Sequence, residues 1–200
     1  LSSSSAASDV YKRQIIVEES KRLKAISGKL MELVSSGDSE LELNPVRTDV
    51  ILNELSIVFE PMMKAKSITL FTHIEPLIIN ADADLFKSVI YNFVDNAVKA
   101  SFEGGKIELT CRSEGEYAVI TVRDYGMGIA EEDKKRIFEP FYMADKVRSR
   151  KLGGAGLGLA LCAEIAKKHN AKIELESELG KGTIISICIK QSEGKINEQI

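Results

Sequence analysis

"GKIELTCRSEGEYAVITVRDYGMGI", residues 105 to 129, holds two runs that read as strands, GKIELTCRS and YAVITVRD, joined by the turn residues Glu114 and Gly115. The second run ends at Asp124, followed at once by Gly126 and Gly128. A carboxylate on so pliable a corner needs a reason. Taken alone, D-x-G is commonly a turn in which the aspartate satisfies its own backbone.

Strands and helices alternate on both sides of this hairpin. Upstream, residues 41–47 read as a short strand, and Asp49–Lys64 as a helix capped by Asp49 or Thr48. SITLFTHI has period-two alternation, LIINAD gives a short strand and turn, and Ala83–Ala100 a long helix. Downstream, a helical stretch runs from Gly156 to near Asn170, and KIELESE and GTIISICIK close a hairpin around LGKG. Strands in adjacent pairs mixed with helices predict an α+β fold. The expected form is a two-layer sandwich, with one mixed sheet and helices packed on one face.

Composition bounds the function. With 200 residues, 44% apolar and 28% charged, the chain has room for one main domain and an appendage. A net charge of -3 argues against a general grip on nucleic acid, which needs a basic field. No apolar run approaches the roughly 20 residues of a membrane span, and no signal-peptide pattern opens the chain, so a cytoplasmic location is expected. Cys111, Cys162 and Cys188 are odd in number and far apart within apolar patterns, which predicts buried thiols rather than a disulfide framework or metal site. Residues 1–14 are low in complexity and read as a leader outside the fold. Residues 15–37 hold an amphipathic helix, with Ile15, Ile16, Leu23, Ile26, Leu30 and Leu33 at helical spacing, closed by SSGDSE. Standing apart from the rest, it is expected to join an intermolecular bundle, and residues 191–200 to form a tail.

The long helix has two faces. At about 100° per residue, Phe86, Ile90, Phe93, Val94 and Ala97 fall on one side and Asn92, Asn96 and Lys99 on the other, joined there by Leu85 and Val89. A solvated polar stripe is the plain reading. Yet carboxamide oxygens suit a hard cation such as Mg²⁺, and an ammonium one turn on suits phosphate. Farther along, Lys146, Arg148, Arg150 and Lys151 precede Gly153, Gly154, Gly156 and Gly158, which run into a helix. Closely approaching backbone N–H groups and a helix start together make an anion site; a basic loop with a glycine hinge is the alternative. Neither the P-loop spacing nor a strand-linked G-x-G-x-x-G is present.

Five segments stand in a telling order: NFVDNAVK (92–99), DYGMGI (124–129), IFEPFY (137–142), GGAGLGLAL (153–161) and GKGT (180–183). Together they resemble the motif boxes of the ATP-binding catalytic domain of sensor histidine kinases, within the superfamily that includes gyrase, Hsp90 and MutL. The resemblance covers about residues 41 to 190. It implies that Asp124 accepts a hydrogen bond from the adenine amino group, while Gly126, Gly128 and Ile129 bring backbone against the base. Guanine would set its carbonyl against that carboxylate. It further implies that Asn96 ligates Mg²⁺, that Asn92 lies beside metal and phosphates, and that Lys99 contacts phosphate. Phe138 and Phe141 would anchor a lid spanning about 130 to 155 that carries Arg148, Arg150 and Lys151. The backbone at Gly154, Gly156, Leu157, Gly158 and Leu159 would hold the phosphates, and Thr183 would support Asp124 through a water.

The chain departs from the pattern in two ways. Ala100 stands where many relatives carry an aromatic residue, and no phosphoacceptor histidine is evident. His73 lies in a predicted strand, and His169 ends a helix. The implied function is transfer of the ATP γ-phosphoryl group to a histidine on a dimerisation helix missing from this chain, which is therefore not expected to label itself. The implied partners are the acceptor helix of its own full-length kinase, as a homodimer, and a response regulator; neither nucleic acid nor a membrane segment is expected. An ATP-hydrolysing module like gyrase or MutL is an alternative, although such modules place a glutamate base where Asn92 stands. A non-catalytic or serine-kinase nucleotide-binding regulator is another.

Overall fold

The alternation in the central hairpin is realised as a ladder. In the computed structural model, which describes residues 41–144 and 156–192, one five-stranded sheet has the spatial order β2 (Thr69–Ile74), β4 (Lys106–Glu114), β5 (Tyr117–Asp124), β7 (Gly182–Lys190), β6 (Lys172–Glu178). β2 runs parallel to β4 and every other neighbouring pair is antiparallel. β1 (Asn44–Arg47) and β3 (Ile78–Ala81) form a separate antiparallel pair. Ile107, Leu109 and Cys111 of β4, Ala118, Ile120 and Val122 of β5, and Ile185, Ile187 and Ile189 of β7 enter one core with the helices α1 (Thr48–Ala65), α2 (Ala83–Ala100) and α3 (Gly158–Lys168). Each large apolar side chain so buried contributes about 1.5–3 kcal/mol. This is the expected two-layer α+β sandwich with a mixed sheet.

The hairpin turn differs from the expected one. Glu114 pairs with Tyr117, so the loop is Gly115–Glu116, one residue later than the sequence suggested. A two-residue hairpin turn wants a positive φ at its first position; Gly115 takes 62°, which glutamate would resist.

Capping of α1 also differs. Neither Thr48 nor Asp49 caps it: Arg47 is the N-cap residue and makes no side-chain cap bond. Asp49 instead binds Arg47 at 2.6 Å. The buried Thr48 hydroxyl donates to the Glu75 carbonyl (3.0 Å) and accepts from the Leu77 N–H (3.0 Å), while the Thr48 N–H donates to the Leu77 carbonyl (2.9 Å). The hydroxyl thus ties α1 to the β2–β3 connection. Thr48→Val should cost about 1–3 kcal/mol by leaving buried groups unpaired, measured as a lower urea midpoint; an unchanged midpoint would contradict the tie.

α2 is held at both ends. Asp82 caps its start, accepting from Asp84 N–H (3.2 Å) and Leu85 N–H (3.1 Å). The Asp82 N–H in turn donates to His169 Nε2 (3.0 Å), while His169 Nδ1 lies 2.8 Å from the Ile165 carbonyl, so the buried ring is the neutral Nδ1–H form. At the other end Lys66 Nζ donates to the Val98 carbonyl (2.7 Å), a cation at the negative pole of the helix.

Of the three thiols expected to be buried, Cys111 and Cys162 are, whereas Cys188 on β7 is half-buried because it lies on the open side of the sheet. α3 starts at Gly158 rather than Gly156, whose φ of 69° is not helical. Gln191 and Ser192, expected in the tail, are bonded to the Glu116 and Ile78 carbonyls and belong to the fold. The amphipathic stretch of residues 15–37 lies outside the described residues. Among the described residues, no helix is long and apolar enough to cross a membrane.

Candidate functional site

β5 carries Asp124 to its end, where register sets it opposite Thr183 of β7. Asp124 is 4% exposed, and its Oδ1 accepts the Gly126 N–H at 2.8 Å. The plain D-x-G turn bond is therefore formed, but on a buried group. Burial pushes the Asp124 carboxyl up from the ordinary aspartate range, and the backbone N–H groups of Gly126 and Thr183 only partly offset this. Thr183 thus meets Asp124 through the main chain, and its hydroxyl pairs with Ser177 Oγ at 2.9 Å.

An acid whose pKa is raised on folding holds its proton more tightly in the folded state. Its stabilising contribution is complete below the ordinary aspartate range and is lost as pH rises through the raised value. The nucleotide-free protein should therefore lose stability relative to Asp124→Asn as pH climbs from about 4 toward neutral, followed by paired urea titrations. A constant difference between the two proteins would contradict the burial of this charge.

The loop after Asp124 is threaded between α2 and the β6–β7 turn. Met127 N–H donates to the Ala100 carbonyl at the end of α2 (3.2 Å), Gly180 N–H to the Met127 carbonyl (2.7 Å), and Ile129 N–H to Ser177 Oγ (2.9 Å). The glycines are required by crowding as well as by freedom. A Cβ on Gly126 would stand 2.2 Å from the Ala100 carbonyl oxygen, and one on Gly182 would stand 2.1 Å from the Asp124 carbonyl oxygen. Protein backbone therefore explains these glycines before any ligand is added.

α2 places its polar line as the 3.6-residue period requires. Asn92 is 3% exposed with Nδ2 donating to the Ser88 carbonyl (2.8 Å), Asn96 is exposed, and Lys99 Nζ pairs with Asp95 Oδ2 at 2.6 Å. The Asp95 pairing, four residues back along the helix, was legible as an i, i+4 pair but was not read from the sequence. Lys66 and Ser177 were missed too, since each acts over a distance that no local pattern reports.

The two phenylalanines separate. Phe138 belongs to a 3₁₀ turn (Arg136–Phe138) and lines a hollow of ≈ 390 Å³ against α3 and β6, with Ala163, Ala166, Lys167 and Ile173; no other residue predicted for the site lines it. Phe141 is 56% exposed at φ 64°, and its N–H donates to the Gly156 carbonyl at 2.8 Å. Gly156 packs against the main chain of Phe141 and Tyr142, where an added Cβ would stand 2.6 Å from the Tyr142 carbonyl oxygen, and the rest of the lid that Phe141 was expected to anchor lies outside the described residues. Leu157 is fully buried, and Gly158 and Leu159 open α3. Arg148, Arg150, Lys151 and Gly154 lie outside the described residues. Among the described residues no cluster of three or more His, Cys, Asp or Glu side chains could hold a metal.

Comparison with known proteins adds an independent line. The family model described as "Histidine kinase-, DNA gyrase B-, and HSP90-like ATPase" matches residues 81–193. Sensor protein SrrB of Staphylococcus aureus is 29% identical over 182 residues, which is 90% of this chain and 31% of SrrB; the chain spans about a third of the curated relatives it matches. Full-length ShkA, solved in complex with AMPPNP, superposes with a TM-score of 0.77 at 26% identity, over 88% of this chain and 37% of that one. Histidine kinase ThkA, solved in complex with the response regulator protein TrrA, gives 0.71 at 25% identity, over 86% of this chain and 49% of that one.

Proposed function

Because this chain belongs to the histidine kinase-, DNA gyrase B- and HSP90-like ATPase family, we propose that it is the ATP-binding catalytic module of a sensor histidine kinase, directing the γ-phosphoryl group to a histidine on a dimerisation helix. The observation that carries this reading is the buried Asp124 carboxylate, fixed by Gly126 N–H one loop away from the end of α2. A buried carboxylate needs a donor, and the amino group of adenine supplies one where guanine would offer a carbonyl. Asn96, exposed on α2, is the proposed Mg²⁺ ligand and Asn92 its buried neighbour. When bound, Mg²⁺ neutralises charge on the phosphate oxygens. Lys99 would share its ammonium between Asp95 and phosphate. Backbone at Gly154, Gly156, Leu157, Gly158 and Leu159, with the start of α3, suits the phosphates, aided by Arg148, Arg150 and Lys151.

The side chain at position 92 selects among chemistries. An amide cannot take a proton from water, so transfer to a protein acceptor is favoured over hydrolysis. The names of SrrB, a sensor protein, and of ThkA, solved with a response regulator, support a two-component setting; in that setting a response regulator would receive the phosphoryl group and a homodimer would bring acceptor and module together. Radiolabelled ATP, this chain and a separately supplied acceptor-helix pair should give acid-labile label on the helices alone. Acid-stable label on this chain, or brisk hydrolysis without transfer, would overturn the assignment.

A further inference from the structure

The two ends of the sheet are guarded differently. β6, one edge strand, presents Lys172, Glu174, Glu176 and Glu178, charges that oppose pairing with another strand. β2, the other edge, reads Thr-Leu-Phe-Thr-His-Ile and carries no carboxylate, ammonium, guanidinium or proline, in a chain that is 28% charged. Thr69, Phe71, Thr72 and His73 are exposed, Phe71 by 54%.

The backbone of β2 is half used. Thr69 N–H donates to the Gly105 carbonyl and Glu75 N–H to the Cys111 carbonyl, so in this parallel ladder the odd-numbered residues bond β4. The N–H and C=O groups of Leu70, Thr72 and Ile74 therefore point away from the sheet, and among the described residues no strand pairs with them.

That outward set is symmetric about Thr72, and we propose that it pairs antiparallel with the same strand of a second copy, joining two sheets edge to edge. With the two-fold axis at Thr72, Leu70 lies opposite Ile74 and Thr72 opposite itself. All six outward groups then bond, as three pairs of reciprocal hydrogen bonds. Phe71 comes opposite His73 on the open face, an aromatic pair on each side of the axis. A copy, rather than an unrelated strand, fits because the strand is its own complement in register and no like charges meet, although each chain carries a net charge of -3. The β6 edge would set its glutamates against one another.

Hydrogen exchange of the full chain across a concentration series tests this residue by residue. The Leu70, Thr72 and Ile74 amides should gain protection as concentration rises, by about tenfold or more where the pair dominates, while the amides of β6 stay unchanged. Thr72→Pro removes one outward donor and should abolish the gain. Phe71→Lys leaves the backbone intact, sets a cation opposite His73, and should weaken the gain by about tenfold. Unchanged β4 and β5 protection in either variant certifies its fold. Protection of the three amides that is independent of concentration would mean another segment covers the edge, and an equal gain in both variants would place association elsewhere; either result overturns the proposal.

Discussion

Asp124→Asn should lower the affinity of this chain for Mg-ATP by about tenfold to about a hundredfold, the cost of about 1–3 kcal/mol for presenting the wrong polar group in a dry site. The substitution preserves shape and one oxygen, so the Gly126 N–H can keep its acceptor and the turn should survive. What changes is the rest of the group: an amide N–H₂ would stand where the adenine amine, also a donor, must dock. The same variant should be more stable than the parent near neutral pH without nucleotide, because the charge it removes is one that burial disfavours. Affinity down with stability up is the signature of a group kept for binding. Equal affinity, or a variant less stable than the parent, would contradict it.

Gly128→Ala should destabilise the fold by about 3 kcal/mol or more, from two independent causes. Its φ of 66° is a left-handed conformation that an L side chain resists, and the added Cβ would stand 2.0 Å from the Glu178 carbonyl oxygen, a backbone atom that cannot rotate away. Relief requires the β6–β7 turn to separate from the 125–130 loop. That separation would strain the Gly180 N–H bond to Met127 and the Ile129 N–H bond to Ser177. Gly115→Ala is the matched control: φ is similarly positive at 62°, but nothing lies within 4 Å of the added atom. It should cost only about 1–2 kcal/mol. Equal urea midpoints for the two variants would refute the crowding.

Features legible in the sequence are those set by local period and local chemistry. α2 was readable from Ala83 to Ala100 because its apolar residues recur at helical spacing, while Asp82 just before them is a good cap. The strands announced themselves by alternation, and the shift of the turn to Gly115–Glu116 followed from one glycine's φ. Where the sequence misled, a side chain with a local habit was claimed by a distant partner. Thr48, a plausible cap, binds carbonyls 27 and 29 residues away. Lys66 closes a helix whose last carbonyls it reaches only once α1 and α2 are packed. For the site, residue types and order pointed to Asp124, Asn96 and Lys99, but neither burial of the carboxylate nor the Asp95 partner of Lys99 is written in a motif.

The central claim is that a buried carboxylate at the end of β5 selects the adenine amino group. Calorimetric titration of the full chain with Mg-ATP and then Mg-GTP tests it most directly: saturable binding of ATP, with GTP about a hundredfold weaker or undetectable, is the predicted result. Equal affinities for the two nucleotides, or no heat with either, would contradict it.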